Sequence, residues 1–507
     1  MSNNLIGRKV AKEAFVSFGG MGIGSVFRYL FSILLARWIG PQMLGIYSLG
    51  NAITRIGEIF GLMGLDNGVL RYVSREKDNN DNVKNTIYSS IKMGFLSSTT
   101  VALLLYFFSD WIALGILNED KFLSTVIKVY ALSLPFAITG LIASFATQGF
   151  KILKYKIFVN HIINPANQLI FMIISYLFFG VKIAILIPTV ISAIFGSICI
   201  FFFLRKFITV SFGAIINAKI DYKILKFSFP LMFVSAIGII MNWIDMLMLG
   251  ILDNAYSVGL YHPIERTAGL IRLIFFAFAS IFAPLFSEYF YEKNKEKMLE
   301  VYQLSTKWIL LTSFPLFIFL ILFSNEMLML FGNEFNNNFA LQILTTGVMI
   351  QALFGLGSSS LTMSGLQKYN LINGFFALLT NIILNTILIP EFGVTGAAIG
   401  TTVSLFLISI LRFSENYYFL KLNFFSKKLI KPLFSGILTI VIVYFLKPYI
   451  FDSSCFNYLA SALNLVIYLF LGMGVTLVIY LVLIFIFRLD EEDYDILKMI
   501  RNKFLNQ

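Results

Sequence analysis

The chain has 507 residues, 58% of them hydrophobic and only 13% charged, with 55 phenylalanines and a mean hydropathy of +0.82. A soluble protein carries about 25% charged residues, so too little polar surface exists here to cover a water-facing globule, and lipid is the solvent for most of the chain. The net charge of +12 leaves two readings, a nucleic-acid surface or basic loops on one side of a membrane, which the distribution of the charges separates.

The N-terminus opens on Arg8, Lys9 and Lys12. No short apolar stretch with a small-residue cleavage site follows, so the first hydrophobic segment is expected to remain as a membrane helix. A spanning helix needs about 20 mostly apolar residues. Segmenting on charge clusters and turn residues predicts spans at 15–38, 44–72, 86–109, 122–150, 156–179 and 183–204. A basic connector, 205–226, separates these from spans at 227–251, 256–287, 300–324, 336–365, 369–389 and 394–420, and two more follow at 430–450 and 458–487. Several of these fourteen exceed one bilayer thickness and are expected to tilt or to extend into the cytoplasm. The Asn/Asp-rich stretch 78–85 reads as a solvated cytoplasmic turn. The tail with Asp490, Glu491, Glu492, Asp493, Lys498, Arg501 and Lys503 reads as a short surface helix. Cys199 and Cys455 fit no zinc or redox spacing and read as packed free thiols.

With the N-terminus in the cytoplasm, the inner flanks of these spans hold 27 basic residues and the outer loops only four: Arg37, Lys121, Lys182 and Lys447. The bias alternates loop by loop without reversal, as positive-inside sorting requires. Both termini are therefore expected inside, and the positive charge marks topology rather than a nucleic-acid groove.

The chain also repeats itself at an offset of about 214 residues. Leu35 through Tyr47 aligns without gaps on Leu249 through Tyr261, ending in Gly45-Ile46-Tyr47 against Gly259-Leu260-Tyr261. Gly149 and Lys154-Tyr155 match Gly365 and Lys368-Tyr369, and Phe179-Gly180-Val181 matches Phe392-Gly393-Val394. Six spans separate the copies, so both cross the membrane in the same direction, and a substrate path between such halves is the expectation. The expected organisation is an N-lobe at 1–204, the connector at 205–226, a C-lobe at 227–421, and two extra helices with a cytoplasmic tail at 422–507.

The run Leu34-Leu35-Ala36-Arg37-Trp38-Ile39-Gly40-Pro41 to Gly45-Ile46-Tyr47, then Gly64-Leu65 and Arg71-Tyr72, resembles the opening of polysaccharide transporters. These are the oligosaccharide flippases of the multidrug/oligosaccharidyl-lipid/polysaccharide superfamily. The likeness continues at Phe331-Gly332-Asn333-Glu334-Phe335, Ser364 to Tyr369, Asn381 to Val394 and Gly396 to Gly400. It implies an all-α polytopic membrane protein of about fourteen helices, in which two pseudo-symmetric six-helix lobes surround a central cavity. The two C-terminal helices resemble those of the lipid II flippase branch. The family's substrate is an undecaprenyl- or other polyprenyl-pyrophosphate-linked oligosaccharide, moved by alternating access for surface polysaccharide synthesis.

Ionisable side chains within spans are costly and mark a polar cavity or a partner. Helix 1 carries Arg28; helix 2 carries Asn51, Arg55 and Glu58 on one face, at i, i+4 and i+7. The same offset brings Glu265, Gly269 and Arg272 to helix 8, with opposite charge at positions 58 and 272. Asn242 and Asp245 on helix 7, and His262 and Arg266 on helix 8, complete the set. In the family resembled, helices 1, 2, 7 and 8 line the central cavity. One reading gives Arg28, Arg55, Arg266 and Arg272 a pyrophosphate to bind through bidentate guanidinium contacts. The other makes them internal ion pairs such as Arg55 with Glu58 or Glu265 with Arg266. Asp245 and Glu58 are candidates to carry a coupling proton or sodium ion, and no other cofactor is expected. His262 reads as a local hydrogen-bonding group, His161 receives no role, and Asp66 and Arg71 read as a gate or an interface anchor.

Three function classes compete. A lipid-linked oligosaccharide flippase suits an arginine-rich cavity. An ion-coupled drug or metabolite exporter of the same superfamily would favour carboxylates and aromatics. A membrane polysaccharide polymerase needs a large outer loop with catalytic residues, and every outer loop here is short, with no nucleophile–base, metal-ligand or phosphate-cradling motif. A monomer acting beside polysaccharide polymerases and glycosyltransferases, in the cytoplasmic membrane of a bacterium or archaeon, is the expectation. In a background without native cysteines, Asn336→Cys is expected to react with an impermeant thiol reagent from outside and Asn80→Cys only from inside. The reverse pattern would overturn the orientation.

Overall fold

A computed structural model describes residues 2–76, 80–450 and 462–487, and every regular element among them is helical. In chain order the helices are α1 (Ser2–Leu62), α2 (Leu65–Glu76), α3 (Asn80–Asp110), α4 (Lys121–Ala131), α5 (Leu134–Gly149), α6 (Lys154–Ile157), α7 (Asn164–Phe179) and α8 (Val181–Leu204). They continue as α9 (Phe212–Asn217), α10 (Tyr222–Leu252), α11 (Ala255–Ala268), α12 (Leu270–Tyr291), α13 (Lys295–Leu322) and α14 (Ser324–Met329). The last five are α15 (Asn338–Phe354), α16 (Leu356–Met363), α17 (Gln367–Glu415), α18 (Ile430–Ile450) and α19 (Ala462–Ile486). Contacts divide the chain into two units, Met1–Pro263 with Leu378–Gly400, and Ile264–Ala377 with Thr401–Gln507.

Twelve helical segments among the described residues are long and apolar enough to cross a membrane, against the fourteen spans read from the sequence. The difference falls at Gly19–Leu62 and Gln367–Leu420, which hold two sequence-derived spans each. A straight helix of 44 residues would be about 66 Å long, twice a hydrocarbon core. Both segments instead fold back at a glycine with positive φ, Gly40 (φ 72°) and Gly393 (φ 52°). The Phe31 and Tyr47 rings lie 5.6 Å apart, although 16 helical residues would separate them by about 24 Å. In the second hairpin, a Cβ on Gly400 would lie 2.2 Å from Asn385 Oδ1. Glycine is needed at the corners because an ordinary side chain is strained at that φ.

Two boundaries differ from the sequence reading. The second span ends at Leu62, because Met63 and Gly64 both take positive φ and turn the chain into α2. That helix is amphipathic: Leu65, Val69 and Val73 are fully buried at spacings of four, and Asp66, Arg71 and Arg75 lie off that stripe. The stretch 78–85 is helical from Asn80 onward rather than a turn. Cys199 is a free, partly buried thiol, whereas Cys455 and the acidic tail lie outside the described residues.

In the first unit α7 packs along α8, α5 against α3 and α8, and α1 against α10. The connector is tied down: Lys92 Nζ donates to the carbonyls of Ile216 (2.7 Å) and Ala218 (2.9 Å), occupying acceptors at the end of α9. In the second unit α13 is the central post, touching α12, α15, α18 and α19. Gly436 of α18 seats on Phe314, and Gly472 of α19 on Phe323. Lys447 pairs with Glu326 at 2.7 Å and donates to the Leu322 carbonyl, which holds the end of α18.

The tightest packing in the first unit is a seam between the return leg of α1 and the start of α11. A Cβ on Gly45 would lie 1.7 Å from the Ala255 carbonyl oxygen, and one on Gly259 1.8 Å from that of Pro41. Positions 41 and 255, and 45 and 259, are repeat equivalents, so the two contacts are one contact related by the repeat. The next turn adds another equivalent pair: Ser48 and His262 Nδ1 are hydrogen-bonded at 2.9 Å. Gly45→Ala or Gly259→Ala must push two backbones apart and is expected to destabilise the purified protein by about 1–3 kcal/mol. Gly474→Ala, whose Cβ meets nothing within 4 Å, is expected to be neutral or stabilising. Thermal unfolding in detergent reads the difference, and equal melting temperatures for all three variants would dismiss the seam as a structural constraint.

Candidate functional site

The first unit encloses a polar cavity of about 250 Å³. Arg28, Asn51, Arg55 and Glu58 all line it, so four of the residues singled out from the sequence share one wall. The opposite wall carries Asn160, Asn164 and Gln168 and the hydroxyls of Thr189, Ser192 and Ser197. Two local features bring these groups together. A Cβ on Gly24 would lie 1.9 Å from the His161 carbonyl oxygen, so glycine alone allows the turn before Arg28 to press on the 158–163 segment. That segment is a π-helix, Phe158–Ile163, a local widening that often accompanies functional sites. The wall is held from behind by Ser192 Oγ donating to the Asn164 carbonyl (2.8 Å) and Gln168 Nε2 donating to the Tyr47 hydroxyl (3.2 Å).

Arg55 Nη1 donates to Glu58 Oε2 at 2.7 Å, so the internal ion pair weighed from the sequence is present. The Arg55 side chain nevertheless remains 53% exposed, against 19% for Glu58. Glu58 is the single carboxylate among the described residues lining the cavity.

In the second unit, Glu265 gathers both neighbouring arginines, Arg272 at 3.3 Å and Arg266 at 3.7 Å. The break at Gly269 between α11 and α12 lets Arg272 reach back seven residues to Glu265. Sequence reading passed over three further charges here. Lys307 on α13 is only 2% exposed. Arg412, at the end of α17, faces Glu415 and Tyr302, and Glu415 in turn accepts from Asn373 Nδ2 at 2.6 Å.

Asp245 lies apart from the arginine cavity, buried within the first unit, whereas Asn242 is exposed. Its Oδ1 accepts from Asn381 Nδ2 (2.9 Å) and Asn385 Nδ2 (2.7 Å), and its Oδ2 accepts from the Tyr261 hydroxyl (3.1 Å). Asn385 Nδ2 also contacts Asn381 Oδ1 at 3.2 Å, and Asn385 Oδ1 is buried without a hydrogen-bond partner. These three donors suit an ionised carboxylate, which only accepts. The sequence reading met the two asparagines only inside the family-like run from Asn381 and gave them no site role. Their signal is a pair of carboxamides at i, i+4 on an otherwise apolar helix.

His262 is 1% exposed and bridges both legs of the α1 hairpin. Ser48 Oγ spends its proton on the Leu44 carbonyl (2.8 Å), so it accepts from His262 Nδ1, and Nε2 then accepts from Ser32 Oγ at 3.2 Å. Its role is a local hydrogen-bonding hub, and the His161 backbone serves as the seat for Gly24. Arg71 lies 4.1 Å over the Phe227 ring, the geometry of an interface anchor. Burial raises the Asp66 carboxyl above its ordinary range, against the opposing pull of the Asn67 hydrogen bonds and the Lys156 charge. Burial likewise raises Glu119, which accepts from the Ala255 N–H at the head of α11.

A family model described as "Polysaccharide biosynthesis protein" matches residues 10–290, more than half of the chain, and a second, MatE, matches 230–387. An uncharacterised membrane protein of Methanocaldococcus jannaschii is 24% identical over 450 residues, covering 83% of this chain and 87% of that protein. A putative O-antigen transporter of Shigella flexneri is 24% identical over 398 residues, covering 74% and 90%. Among solved structures, the lipid II flippase MurJ in an inward closed conformation superposes with a TM-score of 0.74 at 16% identity, covering 92% of this chain and 97% of that one. With the internal repeat, the glycine-cornered hairpins and the extra α18–α19 pair, these likenesses carry one conclusion: the chain belongs to the polysaccharide biosynthesis protein family.

Proposed function

We propose that this protein is a flippase that moves a polyprenyl-pyrophosphate-linked oligosaccharide from the cytoplasmic to the outer leaflet of the cytoplasmic membrane. The observation that carries this reading is the cavity of the first unit, where Arg28 and Arg55 face carboxamides and hydroxyls. Guanidinium groups supply charge-assisted hydrogen bonds to phosphate oxygens, strengthened where water is scarce. Carboxamides and hydroxyls match the donors and acceptors of a sugar ring. A cation exporter would want more negative charge than the lone, already paired Glu58.

The transport cycle in this reading is alternating access across fourteen crossings, with both termini inside and the two repeat copies acting as lobes. The Gly45–Gly259 seam joins segments of both copies at the end that the charge distribution assigns to the outside, and parting it would open the outward path. Arg28, assisted by Arg55, receives the pyrophosphate, and the pair with Glu58 offsets the charge of Arg55 between turnovers. Asp245 suits the coupling role better than Glu58. Its carboxylate is buried and held by three donors, Asn381, Asn385 and Tyr261, whose hydrogen bonds a proton or cation on the carboxylate would displace. Glu58 is instead committed to Arg55.

The test is flipping of labelled lipid-linked oligosaccharide in proteoliposomes, with folding checked by monodisperse elution. Losing hydrogen bonds to a charged group costs about 1.5–3 kcal/mol, so Arg28→Ala is expected to lower the rate by about 10- to 150-fold. Arg28→Lys, which keeps the charge and loses the planar fork, is expected to retain partial activity. A well-folded Arg28→Ala protein that flips at the parental rate would leave the pyrophosphate reading without support. In the same vesicles, Asp245→Asn is expected to abolish the response to an imposed sodium or proton gradient. An unchanged gradient response would remove Asp245 from coupling.

A further inference from the structure

A second cavity, of about 340 Å³ and distinct from the arginine cavity, lies in the first unit where α6 meets the end of α8. Its walls are apolar and aromatic: Tyr155, Phe158, Ile162 and Phe203, with Gly20 of α1 at one edge. The Tyr155 and Phe203 rings stack at 4.7 Å, and Phe207, itself stacked on Phe150 at 4.8 Å, meets Tyr155 edge-on. The cavity is thus a slot in a rigid aromatic ladder.

Two cations stand at its mouth. Lys154 Nζ lies 4.9 Å from the Tyr155 ring centre, and Lys206 Nζ lies 5.4 Å from the centres of both Tyr155 and Phe203. Sharing one ring keeps the two ammonium groups within about 10 Å of each other. Neither pairs with a carboxylate among the described residues. Lys151 and Arg205, both exposed, add to the same basic rim.

The position fixes the kind of ligand. Lys154 opens one membrane segment and Arg205 follows the end of another, so the rim lies at the membrane surface. Phe158 (45% exposed) and Phe202 (62%) flank the slot and extend its apolar face within two membrane-spanning segments. A soluble phosphate would satisfy the lysines and leave the aromatic slot empty. We infer that this cavity is a binding site for an anionic glycerophospholipid of the inner leaflet, its phosphate held between Lys154 and Lys206 and one acyl chain lying in the slot. Lysines at the surface attract anionic headgroups, and their aliphatic stems suit the apolar wall below.

Equilibrium binding of radiolabelled phosphatidylglycerol to the full-length protein in mixed micelles tests the inference, with phosphatidylcholine and inorganic phosphate as competitors. The parent is expected to bind phosphatidylglycerol saturably, with neither competitor displacing it. Lys154→Gln with Lys206→Gln is expected to weaken binding at least ~10-fold, since each surface lysine contributes about fivefold. Ile162→Trp, which fills the slot and keeps both charges, is expected to weaken it as well. Lys219→Gln with Lys223→Gln, removing the same charge from the connector, is expected to change it by less than about twofold. Unweakened binding by the Lys154/Lys206 variant, an equal loss in the connector variant, or displacement by inorganic phosphate would each overturn the site.

Discussion

Close backbone contact at Gly45 and Gly259 is the constraint on which much of the first unit depends. Helices in lipid gain little from burying apolar surface and associate through close packing and polar contacts. A glycine on each side lets the return leg of α1 and the start of α11 meet with carbonyl oxygens against Cα atoms. The Ser48–His262–Ser32 chain then sits one turn away, shielded from lipid, and ties both legs of the α1 hairpin to α11. Because the contacting positions are repeat equivalents, one small-residue motif present in each copy supplies both halves of the seam.

The charges obey a related constraint. An arginine within a bilayer needs a partner or a wet cavity, and this chain provides both at once. Arg55 is paired with Glu58 yet half exposed, and Arg266 and Arg272 share Glu265. The internal-pair and anion-binding readings are therefore compatible. A pair that screens each arginine holds a pyrophosphate less tightly than a bare cluster would, and a transported group must also be released.

The gross architecture was legible because the signals that encode it are local. Apolar runs of about 20 residues, separated by lysines on one side, define the segments. Gly40-Pro41 and Gly393 mark the hairpin corners at the places where the loops were drawn. The break at Met63-Gly64 was passed over because Leu62 and Leu65 flank it, although Asp66 two residues on was a signal for it. The arginine cavity was half legible: the i, i+4, i+7 stripe on helix 2 is a helical pattern, whereas the facing carboxamide wall depends on a π-turn that composition does not reveal. Asp245 finds its partners 136 and 140 residues away, a pairing that only the fold can bring about. Lys307 was missed for a different reason. It stands twelve residues past Lys295, near enough to the basic flank to pass for an interfacial residue, and tertiary packing buries it.

The Asp245 network and the seam are joined by a single helix turn. Tyr261, which donates to Asp245, lies between Gly259, the contact residue of the seam, and His262, its hydrogen-bonding hub. An ionised Asp245 accepts from Tyr261 and the two asparagines together. A proton or cation on the carboxylate competes with those donors for its lone pairs, and the tyrosine hydroxyl, on the oxygen opposite the asparagines, is the donor whose helix also forms the seam. A change of charge at Asp245 thus alters the hold on α11 at the turn that meets Gly45 and Ser48. Coupling between an ion and a moving helix requires different contacts in the two states, and in the proposed coupling the Tyr261–Asp245 hydrogen bond is the contact that would differ.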